Sequence, residues 1–576
     1  MARSIQEVKS RRRITRLWPV LAFGYTLLFG RVVFMQTVKT PEFKHHASQD
    51  RDVKHEIPAS RGRILDRNGK ELAFNLDECS VIVYPKLIGD KAKAAEILAR
   101  NLGLDKADVL NILRTKTRYT VLADSVRVED KLTIQRELRS AGPKARINGV
   151  DFKMFSKRIY PMGAVCAKLV GSVNSKSLGT AGVEQYANKM LAGQAGAVWA
   201  DFDRYGRPIP TRIHRRVEAV SGKDIVLTID SRIQYAAQDA LAEQVRAYGA
   251  KSGSCIVMDP NTGELLAVAE YPTFDPNHMN KVDPDTMTST SMIHIYEPGS
   301  TIKLMTAAGA LSSGLQNVTT VCTGRIPVAS KVIACPCTVR KRKDNPVTVQ
   351  KMLQFSCNSE STALARRMGS QRVYDELKLF GLLDHLEIAG LGISAGGMMP
   401  DPAKYEWPTL RLANVSFGQG VATTRMNLLN AYAAIANGGT LMNPQFIREV
   451  RTAGGDTEKT FKPTAIRRVA TKADCDTLKG YLRICVEDGT GKNGQIAGFI
   501  VGGKTGSAQM PKESGRGFES GAYCASFIGI APLNDPKLKI LVSVETYSPG
   551  VTRASLEAGA NILNLTGTAG SKEVFK

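Results

Sequence analysis

At 576 residues, 43% apolar and 23% charged, the chain is too long for one hydrophobic core and too apolar for disorder, so about two to four globular units are expected. Its 78 Lys and Arg against 54 Asp and Glu leave a formal charge of +24, which favours an anionic partner such as an acidic polymer or a lipid headgroup surface. The basic residues are scattered with no aromatic-interleaved block, which argues against nucleic acid.

In chain order, Arg3, Lys9, Arg11, Arg12, Arg13 and Arg16 precede LWPVLAFGYTLLFGRVVFMQTV (17–38), 22 residues whose one charge is Arg31. A helix of that length crosses a hydrocarbon core of about 30 Å. The basic block places residues 1–16 in the cytoplasm as a short tail, and everything after 38 in the periplasm or outside the cell. No small-x-small cleavage site follows at once, so 17–38 is read as an uncleaved single-pass transmembrane helix. Arg31, towards its outer end, can snorkel or pair with a partner helix.

Residues 39–215 mix strand-like runs such as SVIVY (80–84) with helix-like ones such as DKAKAAEILARNL (90–102), punctuated by turns. No catalytic constellation stands out there, so an elongated mixed α/β pedestal is expected. From residue 216 to 565 a second unit is expected, opening with GKDIVLTID and a helix that carries Ile233, Ala237, Ala240 and Leu241 on one face. SCIVMDPNTGELLAVAEYP then reads as a hairpin about Asn261-Thr262-Gly263. GFIVGGKTG, ASFIGIAP and LKILVSVETY supply three late strands, with helices such as TIKLMTAAGALSS and NLLNAYAAIANGG between. Strands at both ends with helices between predict an antiparallel sheet flanked by helices. Residues 566–576 are left as a C-terminal tail.

Ten cysteines are few for disulfides in an exported chain of this length. Cys322 and Cys335 bracket a short loop and are the expected pair. Cys335-Pro336-Cys337 has no matching second pair in sequence, so no metal site is expected.

Three short motifs carry chemistry. In EPGSTIKLMTAAGAL, Pro298 and Gly299 break what precedes, Ser300 opens an apolar helix, and Lys303 lies over the same face. A partly desolvated lysine can take the proton of a serine hydroxyl and make it nucleophilic. Ser300 and Lys303 form the sole Ser-x-x-Lys in the sequence. In FSCNSES, Ser356 and Asn358 present a hydroxyl and a carboxamide two residues apart, although a helix cap explains them equally well and Ser172-Val173-Asn174 repeats the pattern. The third is GFIVGGKTGSAQ (498–509), whose spelling also fits a nucleotide-binding loop. Such a loop needs a helix after its lysine, whereas Phe499, Ile500 and Val501 favour a strand and SAQMPKESG has no helical period. Lys504 is therefore placed on a strand. A second decoy, Gly392-Ile393-Ser394-Ala395-Gly396, matches a nucleophile elbow, but the last histidine, His385, precedes it.

With Ser300-Thr301-Ile302-Lys303, Ser356-Cys357-Asn358 and Lys504-Thr505-Gly506 in that order, the chain resembles the penicillin-recognising serine transferases. RGRILDRNG, YPMG, GVEQY, LTIDSRIQ, SFGQG (416–420) and KTGSAQ extend the likeness to a class B penicillin-binding protein, nearer the division-specific than the elongation type. The resemblance implies a pedestal, or dimerisation-type domain, ahead of a D,D-transpeptidase domain. It implies that Ser300 attacks the terminal D-alanyl-D-alanine carbonyl of a peptidoglycan stem peptide and Lys303 accepts its proton. Ser356 would pass a proton to the leaving D-alanine, Asn358 would hold the peptide amide, and Lys504 and Thr505 would bind the donor carboxylate. Gly506 and Ser507 complete the substrate strand, and the N–H groups of Ser300 and Ser507 would form the oxyanion hole.

The implied partners are stem peptides on a lipid-linked precursor or nascent glycan, covalent β-lactam inhibitors, a membrane-embedded glycosyltransferase of the shape, elongation, division and sporulation family, and other division proteins. No cofactor is implied. A D,D-carboxypeptidase or β-lactamase, with water as acyl acceptor, and a non-catalytic β-lactam receptor are the competing functions, though a cytoplasmic tail of about 16 residues has no room for a signalling domain. The Cys-bearing basic loop KVIACPCTVRKRKDNP and the thiol of Cys357 are not accounted for by the resemblance.

Overall fold

The computed structural model describes residues 2–40, 54–141, 147–202, 208–335, 337, 346–511, 518–535 and 538–546. The expected tail 566–576 and the basic run 338–345 lie outside the described residues. By contact density the chain forms two units.

The first comprises Met1–Ser60 and Gly193–Ser221. Its helix Ala2–Thr37 runs through the expected transmembrane segment and continues past Pro19. Trp18, Phe23, Tyr25, Leu27, Leu28 and Phe29 are all exposed on it. Among the described residues no helix is long and apolar enough to cross a membrane. An antiparallel three-stranded sheet, in the order Lys54–Ile57, Gly196–Phe202, Pro208–Val217, completes this unit.

The second unit, Arg61–Ala192 with Gly222–Lys576, holds the motifs. The predicted hairpin is present as Ser252–Met258 paired antiparallel with Leu265–Tyr271, turning through Gly263 at φ +78°. Leu538–Thr546 adds beside Ser252–Met258, then Phe518–Ala531, then Gly502–Pro511 at the edge, so a sheet begun near residue 252 is closed by strands some 250 to 290 residues later. All four pairings are antiparallel, as the strand-at-both-ends pattern requires. The helix Ser231–Ala247, capped by Asp230 onto the Arg232 N–H, buries Ile233, Ala237, Ala240 and Leu241, the predicted face, against the sheet.

The other side carries the helices Lys303–Ser312, Asn358–Leu379, Arg425–Ala436 and Lys472–Asp488. Every residue of Arg425–Ala436 is buried, polar ones included, and the Asn427 and Asn430 carboxamides donate to the Gly381 (2.8 Å) and Met442 (2.9 Å) carbonyls. Full burial of each of Leu428, Leu429 and Ile435 contributes about 1.5–3 kcal/mol before entropy is counted. Arg425 opens this helix and stacks 4.8 Å over the Tyr296 ring.

Several motifs outside the site are structural. Glu184 of GVEQY is fully buried between Arg61 (2.6 Å) and Arg158 (2.7 Å). Arg63 grips Asp224 through Nε (3.0 Å) and NH2 (2.6 Å), where the strand Ile64–Leu65 runs parallel to Asp224–Leu227. That register places strands from residues 64–159 and from 224–460 in a single sheet. Removing one partner of the buried Arg61–Glu184–Arg158 cluster leaves an uncompensated charge, which accounts for Arg61 and the GVEQY glutamate without catalysis.

Candidate active site

Pro298 and Gly299 end the preceding chain, and Gly299 takes φ +57°. Residues Gly299–Ile302 then form a 3₁₀ turn, and the α-helix starts at Lys303, so Ser300 lies in that turn and not in an α-helical first turn. Side chains three apart eclipse in a 3₁₀ turn, which brings the Ser300–Lys303 pair closer than α-helical spacing does. Lys303 Nζ donates to Ser300 Oγ at 3.0 Å. Lys303 is fully buried while Ser300 is half-buried, so the hydroxyl remains open to a substrate and the amine does not.

The second motif meets the same amine. Lys303 Nζ donates to Ser356 O (2.8 Å), Ser356 Oγ (3.1 Å) and Asn358 Oδ1 (2.6 Å). Ser356 sits in the left-handed region at φ +55°, a conformation that costs a non-glycine residue about 1–3 kcal/mol and needs support from its surroundings. The decoy tripeptide has no such role: Ser172 is buried and shares its hydroxyl with Thr180 at 2.8 Å, while Asn174 Oδ1 caps a local turn.

The third motif arrives from the sheet edge. Lys504 is on the strand Gly502–Pro511, and its Nζ donates to Ser356 Oγ at 3.3 Å and to Thr505 O at 2.9 Å. Thr505 Oγ1 donates to Thr490 at 3.1 Å. Ser507 is exposed, and its carbonyl is close enough that a Cβ on Gly299 would lie 2.8 Å from it, so Ser300 and Ser507 are neighbours across the cleft. Gly506 is required by close approach: a Cβ there would stand 2.5 Å from Ser526 Oγ and 3.0 Å from Pro298 O. The strand begins only at Gly502, and Phe499–Val501 precede it. Gly502 and Gly503 face Leu533 and Phe527, so they leave room for the sheet's own core.

Ser356 Oγ thus lies between two buried amines. Burial, and then the like charge of Lys504, pushes Lys303 down to about 7. Burial pushes Lys504 down to about 8. Near neutral pH one amine is therefore available as a base while the other keeps most of its charge, a division of labour set by environment.

SFGQG (416–420), part of the family likeness, has a structural role that its spelling does not show. The Gly418 carbonyl accepts the Gly299 N–H at 3.1 Å, and Ser416 O accepts Thr306 Oγ1 (2.8 Å) and Ser361 Oγ (2.6 Å). The Gly420 N–H donates to Glu297 Oε1 at 2.8 Å. This segment ties the Ser300 turn to the helix of the second motif. Gly418 has φ +88°, and a Cβ would fall 2.0 Å from Gly299 O. Gly418→Ala is expected to displace the Ser300 turn and slow β-lactam acylation at least about tenfold, with a lowered thermal midpoint. Stopped-flow acylation kinetics beside a melting curve check both. Ser394, the elbow decoy, is buried with Oγ accepting the Leu386 N–H at 2.9 Å.

The cysteines overturn one expectation. None of the ten forms a disulfide and all are buried, so the expected Cys322–Cys335 bond is not present. The sulfurs of Cys322, Cys335, Cys337 and Cys357 instead lie within 4.8 Å of one another. The neighbours of the Cys335–Cys337 pair come from 13 and 20 residues away in sequence, so no second pair of matching spacing marks the group.

Comparison with known proteins places both parts of the chain. The penicillin binding protein transpeptidase domain matches residues 253–565, and the penicillin-binding protein dimerisation domain matches residues 56–227. Penicillin-binding protein PbpB of Mycolicibacterium smegmatis is 28% identical over 564 residues, covering 91% of this chain and 86% of its own. Peptidoglycan D,D-transpeptidase FtsI of Escherichia coli is 28% identical over 547 residues, covering 93% and 88%. The crystal structure of Penicillin Binding Protein 2X from Streptococcus thermophilus superposes with a TM-score of 0.76 at 24% identity, over 90% of this chain and 80% of that one, which shows a shared fold. With a transpeptidase domain match over more than half its length and a dimerisation domain ahead of it, the chain belongs to the class B penicillin-binding proteins.

Proposed function

We propose that this chain is a serine D,D-transpeptidase that crosslinks peptidoglycan stem peptides through an acyl-enzyme on Ser300, in septal wall synthesis during division. The observation that carries the reading is the convergence of all three motifs on Ser356 Oγ, 3.1 Å from Lys303 Nζ and 3.3 Å from Lys504 Nζ, with Ser300 Oγ 3.0 Å from Lys303 Nζ. The 28–29% identity to proteins named peptidoglycan D,D-transpeptidase supports the same activity.

In this mechanism neutral Lys303 takes the Ser300 hydroxyl proton as Oγ attacks the carbonyl between the two D-alanines. The N–H groups of Ser300 and Ser507 hold the developing oxyanion, typically worth a few kcal/mol in the transition state. The proton then passes through Ser356 Oγ to the leaving D-alanine nitrogen, and the C–N bond breaks. An amine of a second stem peptide attacks the ester, forms the new amide and returns Ser300 to its hydroxyl form. Charged Lys504 and the Thr505 hydroxyl take the donor carboxylate, Gly506 keeps the strand close to Thr301, and Asn358 orients the peptide amide. A β-lactam forms the same ester with Ser300 and has no departing amine.

The division of the chain into a tail (1–16), a transmembrane helix (17–38), a pedestal (39–215) and a transpeptidase domain (216–565) belongs to this proposal. The exposed aromatic and leucine side chains of Ala2–Thr37 support a membrane anchor with the catalytic unit outside the cytoplasm. A membrane-embedded glycosyltransferase and other division proteins are the expected partners of the anchor and pedestal. SFGQG and the asparagine of the second motif support the division type.

The test supplies detergent-solubilised full-length protein with lipid-linked precursor and a polymerising glycosyltransferase, then measures D-alanine and muropeptides. D-alanine release matched by crosslinked dimers is expected. Release matched by trimmed, uncrosslinked peptides would mark a carboxypeptidase and overturn the proposal.

A further inference from the structure

The four clustered cysteines come from three places in the chain. Cys322 and Cys335 flank the hairpin formed by Arg325–Val328 and Lys331–Ala334, Cys337 follows it, and Cys357 lies between Ser356 and Asn358. They are 2%, 1%, 4% and 0% exposed, so four thiols are gathered at one buried point. The Cys322–Cys337, Cys335–Cys337 and Cys335–Cys357 sulfurs are 3.5, 3.4 and 3.7 Å apart.

Each alternative for such a group makes a different geometric demand. A disulfide brings two sulfurs to about 2.05 Å and gives each a single partner. Here Cys335 and Cys337 each have two sulfur neighbours, a mutual cluster with no pairs. A cluster of several irons and bridging sulfides needs central room that sulfurs within 4.8 Å of one another do not leave. One tetrahedral ion with metal–sulfur bonds of about 2.3 Å sets the sulfurs about 3.8 Å apart, close to the separations present. Four soft sulfur donors in that arrangement select zinc among common divalent ions.

The surroundings suit thiolates. The Asn358 N–H donates to Cys335 Sγ at 3.2 Å, and Ser359 Oγ lies 3.3 Å from Cys322 Sγ. Donors aimed at ligand sulfurs hold them in place and offset their charge. The base of the hairpin closes beside these sulfurs: Gly324 has φ +84°, and its carbonyl accepts the Cys335 N–H at 2.9 Å.

We propose that Cys322, Cys335, Cys337 and Cys357 bind one structural zinc ion, which fastens the 325–334 hairpin to the loop carrying Ser356 and Asn358. On binding, four S–H bonds break, four Zn–S bonds form and four protons pass to solvent. Closed four-sulfur coordination leaves no open position, so the ion holds structure and does no chemistry on substrate. Cys357 becomes a positioning residue, because a fixed sulfur there restrains Ser356 on one side and Asn358 on the other. This positioning role rests on the active-site reading above, whereas the metal site does not.

The full chain, purified without chelator, is expected to contain about one zinc per polypeptide by mass spectrometry, with four sulfurs at about 2.3 Å in X-ray absorption. Titration with a mercurial should release that zinc as four thiols are blocked. Cys322→Ser and Cys335→Ser should each lose most of the metal, while Cys79→Ser, outside the cluster, keeps it. If the variants fail to fold, the mercurial titration of the unmodified chain decides. No bound metal with two disulfides by peptide mapping, or iron in place of zinc, overturns the proposal. Zinc-stripped protein should acylate at least tenfold more slowly in rate constant, with little change in initial penicillin affinity. An unchanged rate constant removes the positioning role and leaves the metal site intact.

Discussion

Ser300→Ala is expected to abolish covalent labelling by a fluorescent penicillin, with thermal stability close to that of the unaltered chain. The variant removes one half-buried hydroxyl, and Lys303 keeps its bonds to Ser356 and Asn358, so the packing around the site has little reason to change. The chemistry has no substitute. Ser356 Oγ also lies near Lys303, but its main chain is in the left-handed region and Lys504 donates to its oxygen, which lowers its nucleophilicity. In serine enzymes of this kind, removal of the nucleophile costs on the order of 10⁶ in turnover. Gel fluorescence and intact-mass measurement check the result. A stable adduct of unchanged stoichiometry in Ser300→Ala would sink the assignment.

Lys303→Arg is expected to slow acylation by about 10²–10⁴ and to erase one limb of its pH profile. With Lys303 pushed down to about 7, the fraction in the neutral, proton-accepting form rises as pH rises through that value. With Lys504 pushed down to about 8, the charge that attracts the substrate carboxylate falls as pH rises through that value. The second-order acylation constant, which reports the free enzyme, should therefore climb through about pH 7, peak between the two values and fall above about 8. A guanidinium does not lose its proton in this range, so the arginine variant has no rising limb to show. Acylation rates across pH 5.5 to 9.5, roughly spanning both transitions, decide it. An unshifted rising limb in Lys303→Arg would mean that another group accepts the proton.

Much of the architecture was legible because local signals and tertiary demands agree there. The Asn261-Thr262-Gly263 turn, the Ile233–Leu241 face and the helix-like run 90–102, present as Lys91–Leu102, all follow from turn chemistry and periodicity. Lys504 falls on a strand as read, but the strand formers Phe499–Val501 lie before it and two glycines begin it. Strand propensity reflects packing as much as backbone preference, and Gly502 and Gly503 are where Leu533 and Phe527 leave no space for a side chain. The role of SFGQG was not legible, since the contact of Gly418 with Gly299 joins segments well over a hundred residues apart.

The sequence by itself determined which chemical groups are present and in what order: a lone Ser-x-x-Lys, a Ser-x-Asn and a Lys-Thr-Gly, whose order carries the resemblance that implies acyl transfer. Only the tertiary structure decided that Ser300, Ser356 and Lys504 share one point, that Lys303 is fully buried, and that four scattered cysteines meet where a disulfide was expected. The physical reason is the same in each case. Nucleophilicity, amine basicity and metal affinity depend on desolvation and on distances of about 3 Å between groups far apart in the chain, and both are created by packing.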